Sequence, residues 1–106
     1  MDNLKLNYAT RSPAAGTRLS ALVGVVASGN LEVLLERRLT PNECVVEIAT
    51  PIHGYDEVWK AVVEDFIERT SPGGLHISIN DGGARPDIVA LRLMQGVKTM
   101  EAHHDR

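Results

Sequence analysis

The spacing of apolar residues switches between a strand period and a helical period along this chain, and that switching limits the fold more than any other feature. Leu4, Leu6 and Tyr8 alternate with Lys5 and Asn7, which predicts a short half-buried strand. Leu31, Val33 and Leu35 alternate with Glu32, Glu36 and Arg38 in the same way, and Cys44, Val46 and Ile48 share one face of Glu43 to Ala49. After His53-Gly54 the period becomes helical. Val58, Trp59, Val62, Val63, Phe66 and Ile67 recur as adjacent pairs every four residues, a single apolar stripe. Ser71-Pro72-Gly73-Gly74 ends that helix. Leu75, Ile77 and Ile79 return to period two, and Pro86 and Asp87 suit the first turn of a helix over Ile88 to Met100. Val89 to Leu93 could also be read as strand. Strands, long helix, strand, helix is the order of an α+β domain: a two-layer arrangement, antiparallel sheet with about two helices on one face.

Leu19 to Ala27 carries apolar residues on both faces, which predicts a central strand. Between it and Leu31 lies Ser28-Gly29-Asn30. A Gly29-Asn30 pair between strand-like runs predicts a two-residue hairpin turn, because both residues tolerate positive φ. The loop Ser12 to Gly16 and the turn Thr40-Pro41-Asn42 complete the connections. The tail from Glu101 to Arg106 is expected to fray. No repeat or linker divides the chain, so residues 1–106 read as one domain.

Fourteen acidic and eleven basic residues give a net charge of −3. That balance excludes a polybasic nucleic-acid footprint and gives no reason for a membrane partner. The N-terminus lacks the apolar core of a signal peptide, and Ala21 to Ala27 is far short of a membrane span. Cys44 is the single cysteine, which excludes an internal disulfide and a cysteine-based zinc site and fits a reducing, cytoplasmic setting.

Ser28 is the one residue whose setting invites chemistry. Beside a hairpin apex, with Ala27, Gly29 and Asn30 as neighbours, its hydroxyl would be open to another protein. No Gly-x-Ser-x-Gly elbow or nearby histidine supplies a base, so a turn serine competes with a modification site and a catalytic serine does not. His53, His76, His103 and His104 read as solvent-exposed, and no metal site is expected. Cys44 faces inward and reads as inert. Asp81-Gly82-Gly83-Ala84-Arg85-Pro86 lacks the endings of phosphate and dinucleotide loops and reads as a turn entering a helix.

The stretch Val23-Gly24-Val25-Val26-Ala27-Ser28-Gly29-Asn30-Leu31-Glu32-Val33-Leu34 resembles the modification motif of the malonate decarboxylase acyl carrier protein, or delta subunit, family. Ile79 to Leu93, with Asp81-Gly82-Gly83-Ala84-Arg85-Pro86 inside it, is similar to that family's Asp-x-Gly-Ala-x-Pro segment. Each block alone is a weak signal; the two at this spacing are more specific. Asn30 departs from the family, where Asp is frequent. The resemblance implies a non-catalytic carrier. Ser28 would hold 2′-(5″-phosphoribosyl)-3′-dephospho-CoA through a phosphodiester, with Gly29 and Asn30 as its turn neighbours. The arm would carry acetyl and malonyl thioesters. Implied partners are an acetyl/malonyl transferase subunit, the decarboxylase subunits and the prosthetic-group transferase. Glu32, Glu36 and Arg38 are expected on an exposed face near the hairpin, where they would help docking. The citrate lyase acyl carrier protein, which bears the same group, is the nearest rival, and a regulatory or assembly module without catalysis is the rival of another class.

Overall fold

In the computed structural model, residues 1–102 are described; His103 and His104 lie outside them. Five strands form one sheet: β1 (Asp2–Ala9), β2 (Ser20–Gly24), β3 (Leu31–Arg37), β4 (Glu43–Thr50) and β5 (Leu75–Asp81). Two helices, α1 (Asp56–Thr70) and α2 (Pro86–Met100), complete the α+β fold. The order across the sheet is β1-β4-β5-β3-β2, and the neighbours are antiparallel except for β4 and β5. That one parallel pair follows from connectivity, because α1 carries the chain from the end of β4 back to the start of β5.

The register stacks the alternating apolar residues into rows. Leu4, Ile48, Ile79, Val33 and Val23 face one another across the five strands, and Leu6, Val46, Ile77, Leu35 and Ala21 form the next row. The helices cover this face. α1 contributes Trp59, Val63, Phe66 and Ile67, and α2 contributes Val89, Leu93, Val97 and Met100. Gly96 lets α2 approach β3 closely, since a Cβ there would stand 2.5 Å from a Leu35 methyl. Asp56 and Glu57 in the first turn of α1 and Arg69 in the last suit the helix dipole. Val58 departs from the expected stripe: it is exposed, at the rim of a groove lined by residues near the N-terminal ends of both helices.

Three other expectations need correcting. β2 is an edge strand, not a central one, and it ends at Gly24. Leu22, Val25 and Val26 each expose more than half of their surface (60, 55 and 53%), so their apolar character does not come from burial in this chain. The tail does not begin to fray at Glu101. Glu101 N–H donates to the Val97 carbonyl, and the Ala102 carbonyl accepts from the N–H groups of Thr17 and Arg18. The i,i+4 spacing of Lys60 with Glu64 and of Asp65 with Arg69 in the sequence predicts two ion pairs on α1, but Lys60 pairs with Glu57 at 3.5 Å and not with Glu64, whereas the Asp65–Arg69 pair forms at 2.8 Å. Among the described residues no helix is long and apolar enough to cross a membrane.

Candidate functional site

β2 and β3 are joined by residues 25–30, a longer connection than a two-residue hairpin. Its corner is a turn over Ala27–Asn30, closed by the Asn30 N–H donating to the Ala27 carbonyl at 2.9 Å. Ser28 and Gly29 are therefore the central residues, and only Gly29 takes a positive φ, +75°. That is the third position of the turn, where a type II geometry requires it and glycine adopts it without strain. Asn30 serves differently. Its Oδ1 accepts from the Leu31 N–H at 2.8 Å and from Arg92 Nε of α2 at 3.2 Å.

Ser28 is exposed, and among the described residues its hydroxyl has no hydrogen-bond partner. Nothing lies within 4 Å of where a Gly29 Cβ would be. Among the described residues no base or carboxylate is hydrogen-bonded to Ser28, so they offer an accessible oxygen without a group to take its proton.

The turn is tied to the Gly82 segment by backbone hydrogen bonds. Gly29 N–H donates to the Gly82 carbonyl at 3.1 Å, and Gly82 N–H donates to the Asn30 carbonyl at 2.8 Å. The fold thus brings both sequence blocks together, 52 residues apart at this contact, on a two-bond bridge. Gly82 permits it: a Cβ there would stand 2.1 Å from the Ala27 carbonyl oxygen. The Gly82 segment is held in turn by Asp81, which is buried. Its two oxygens accept from Thr50 Oγ1 at 2.8 Å and from the Ala84 N–H at 2.9 Å. Asp81 therefore works inside the turn expected at this position.

Beside this segment lies a groove of about 250 Å³ between the helix N-termini, lined by Tyr55, Val58, Trp59, Gly83, Arg85 and Val89 among others. Arg85 is committed to Asp87 through two hydrogen bonds of 3.1 and 2.7 Å, which holds the Asp87 carboxyl below its ordinary value.

The histidines separate. His53 is exposed as expected and pairs with Asp2 at 2.8 Å. His76 contradicts the expectation of an exposed side chain. It is buried on the sheet face away from the helices, where its Nε2 donates to Glu47 at 2.7 Å and Ser78 Oγ lies 3.4 Å from Nδ1. β5 is the middle strand, so the side chains of β4 and β3 close over His76 from both sides. Among the described residues no group of three His, Cys, Asp or Glu side chains is placed to hold a metal ion. Cys44 is buried, and burial pushes its thiol up to about 12. Glu32 lies beside the turn through its pairing with Gly24, but Arg38 does not. It follows the far end of β3, roughly 20 Å away at the rise of a strand.

A family model described as the malonate decarboxylase delta subunit (MdcD) matches residues 18–100, which include both loops and Arg92. A malonate decarboxylase acyl carrier protein from Bradyrhizobium diazoefficiens is 57% identical over 100 residues, 94% of this chain and 95% of that one. Another, from Stenotrophomonas maltophilia strain K279a, is 42% identical over the full length of both. Among solved structures, a chain of a Pseudomonas malonate decarboxylase hetero-tetramer in complex with malonate superimposes with a TM-score of 0.83. It is 36% identical, and the match covers 94% of this chain and 99% of that one.

Proposed function

The chain belongs to the malonate decarboxylase delta subunit family, and from that premise we propose that it is the acyl carrier of such an enzyme, loaded at Ser28. The observation that carries the residue assignment is the turn: an exposed serine without partners, at a corner pinned from below by Gly82 and left clear by Gly29. The group we assign to it is 2′-(5″-phosphoribosyl)-3′-dephospho-CoA, joined through a phosphodiester. The site fits such a group, because the space around the corner is open and Ser28 Oγ is uncommitted. When bound, the group supplies a terminal thiol on which acyl units are held between active sites.

The chain's own residues then have three tasks. Ser28 gives the attachment oxygen, and its proton passes to a base on the prosthetic-group transferase, since none is hydrogen-bonded to it among the described residues. Gly29 and Asn30 hold the corner. The sheet and α2 keep the base of the arm fixed, so that its far end samples a confined volume and meets successive acetyl/malonyl transferase and decarboxylase subunits at raised effective concentration. The solved relative is part of a hetero-tetramer, which supports the assignment of decarboxylase partners. We place the protein in the cytoplasm, in keeping with its lone free thiol. The family match favours this carrier over that of citrate lyase, and intact mass separates it from a regulatory module.

Intact mass of the protein co-produced with its modifying enzymes tests the proposal. The expected result is a protein heavier than its sequence by the mass of the group, with the adduct mapped to the peptide containing Ser28. Ser28→Ala should fold with a stability change within about 0.5 kcal/mol, as exposed turn positions allow, and stay unmodified. An unmodified wild type, or an adduct on a peptide lacking Ser28, refutes it.

A further inference from the structure

Arg92 is the guanidinium that α2 holds against the serine turn, and both of its side-chain partners are amide oxygens. Nε donates to Asn30 Oδ1 at 3.2 Å and Nη1 to Gln95 Oε1 at 2.9 Å. Among the described residues no carboxylate lies within ion-pair distance of it. This sets it apart from Arg38, Arg69 and Arg85, which face Glu36, Asp65 and Asp87. A guanidinium has five N–H donors, so after these two bonds Arg92 keeps a full positive charge and three donors. Its aliphatic stem runs beside Gly24, with Cδ 3.5 Å from where a Gly24 Cβ would be.

We propose that Arg92 is the receiving site for the phosphate of a phosphodiester on Ser28. The inference rests on the reading of Ser28 given above and assigns a second residue to that site. Asn30 links the two positions: it is two residues from Ser28 in the turn and in direct contact with Arg92. An aspartate at 30 would accept the same two hydrogen bonds but neutralise the guanidinium. Asparagine orients Arg92 and leaves its charge for the phosphate anion. Guanidinium and phosphate suit each other because the planar fork meets two oxygens at once, and such charge-assisted bonds are stronger than neutral ones. The contact would hold the base of the arm along the α2 side of the turn, so that the arm leaves the carrier in a defined direction.

The experiment uses the full chain in apo and modified forms, labelled with ¹⁵N-arginine, after peptide mapping has located the adduct. Modification should displace the Arg92 Nε–H resonance and leave that of Arg85 in place. In Asn30→Asp the carboxylate competes for the guanidinium and that displacement should be largely lost. The modified form should also melt above the apo form, and this difference should vanish in Arg92→Gln and survive in part in Arg92→Lys. Comparing apo and modified forms of the same variant cancels any effect of the substitution on folding itself. An adduct on Ser28 with an unmoved Arg92 resonance, and a melting difference unchanged in Arg92→Gln, overturns this inference alone. An adduct on another peptide overturns the Ser28 reading and this one with it.

Discussion

Gly82 lies so close beneath Ala27 that a Cβ on it would stand 2.1 Å from the Ala27 carbonyl oxygen, while its own N–H and carbonyl bond to Asn30 and Gly29. The obstacle is backbone, which cannot rotate aside as a side chain can. Gly82→Ala must therefore push the serine turn away and stretch both bonds. Overpacking of this kind costs about 1–3 kcal/mol. The variant should show a lower urea midpoint, and its modifying enzyme should load Ser28 more slowly than in wild type. Wild-type stability together with a wild-type loading rate would mean that the turn does not depend on this bridge.

That bridge also marks what could be read from the sequence and what could not. Each element was legible, because alternation in Leu31–Leu35 and paired spacing in Trp59–Ile67 are local signals. The partners were not. β5 inserts between β3 and β4, which are joined by a short connection, and only register over distant residues decides that. Arg92 and Asn30 are 62 positions apart, so no spacing rule relates them. Leu22, Val25 and Val26 misled for another reason. Apolar residues on both faces do not distinguish a central strand from an edge strand that leaves one of those faces exposed. His76 misled because alternation gives the face of a strand but not its place in the sheet. The serine turn was found, yet placed one residue late, since Gly29 alone needs the positive φ.

Trp59 is 5% exposed and packs in the layer between α1 and the sheet. Trp59→Ala should cost about 3–5 kcal/mol, the usual loss for a buried indole. Chemical denaturation measures it directly. A loss below about 1 kcal/mol would mean that the core closes over the gap and that α1 is held mainly by Val63, Phe66 and Ile67.

Glu47 gives stability a specific dependence on acid. The hydrogen bond from His76 is the main cause that holds its carboxyl below the ordinary value of 4.5, helped by attraction to His76, Lys5 and Arg38 and opposed by partial burial. A carboxyl lowered in the folded state stabilises fully above its unfolded pKa, and that contribution disappears as pH falls through the folded value. The stability gap between wild type and Glu47→Gln should therefore narrow as pH falls below about 4.5. Denaturation midpoints across that range check this, and a gap that stays constant into acid would remove the His76–Glu47 bond from the account.

Docking of partner subunits should depend on Glu32 more cleanly than on Glu36 or Arg38. Glu32 sits beside the serine turn, opposite Gly24, and among the described residues its one side-chain hydrogen bond is a long one of 3.5 Å from Asn80. Glu36 is nearer the far end of β3, 3.5 Å from Arg38 and 3.8 Å from His76, so reversing its charge would also disturb the buried histidine. A surface charge beside a docking site acts mainly on the association rate and is screened by salt. Glu32→Lys should therefore load normally at Ser28 but transfer acyl groups more slowly at low ionic strength, with the difference fading as salt is added. Stopped-flow or steady-state transfer kinetics with each partner subunit measure it. Unchanged rates with both partners at low salt would move the docking surface off the open sheet face, toward the exposed edge at Leu22, Val25 and Val26.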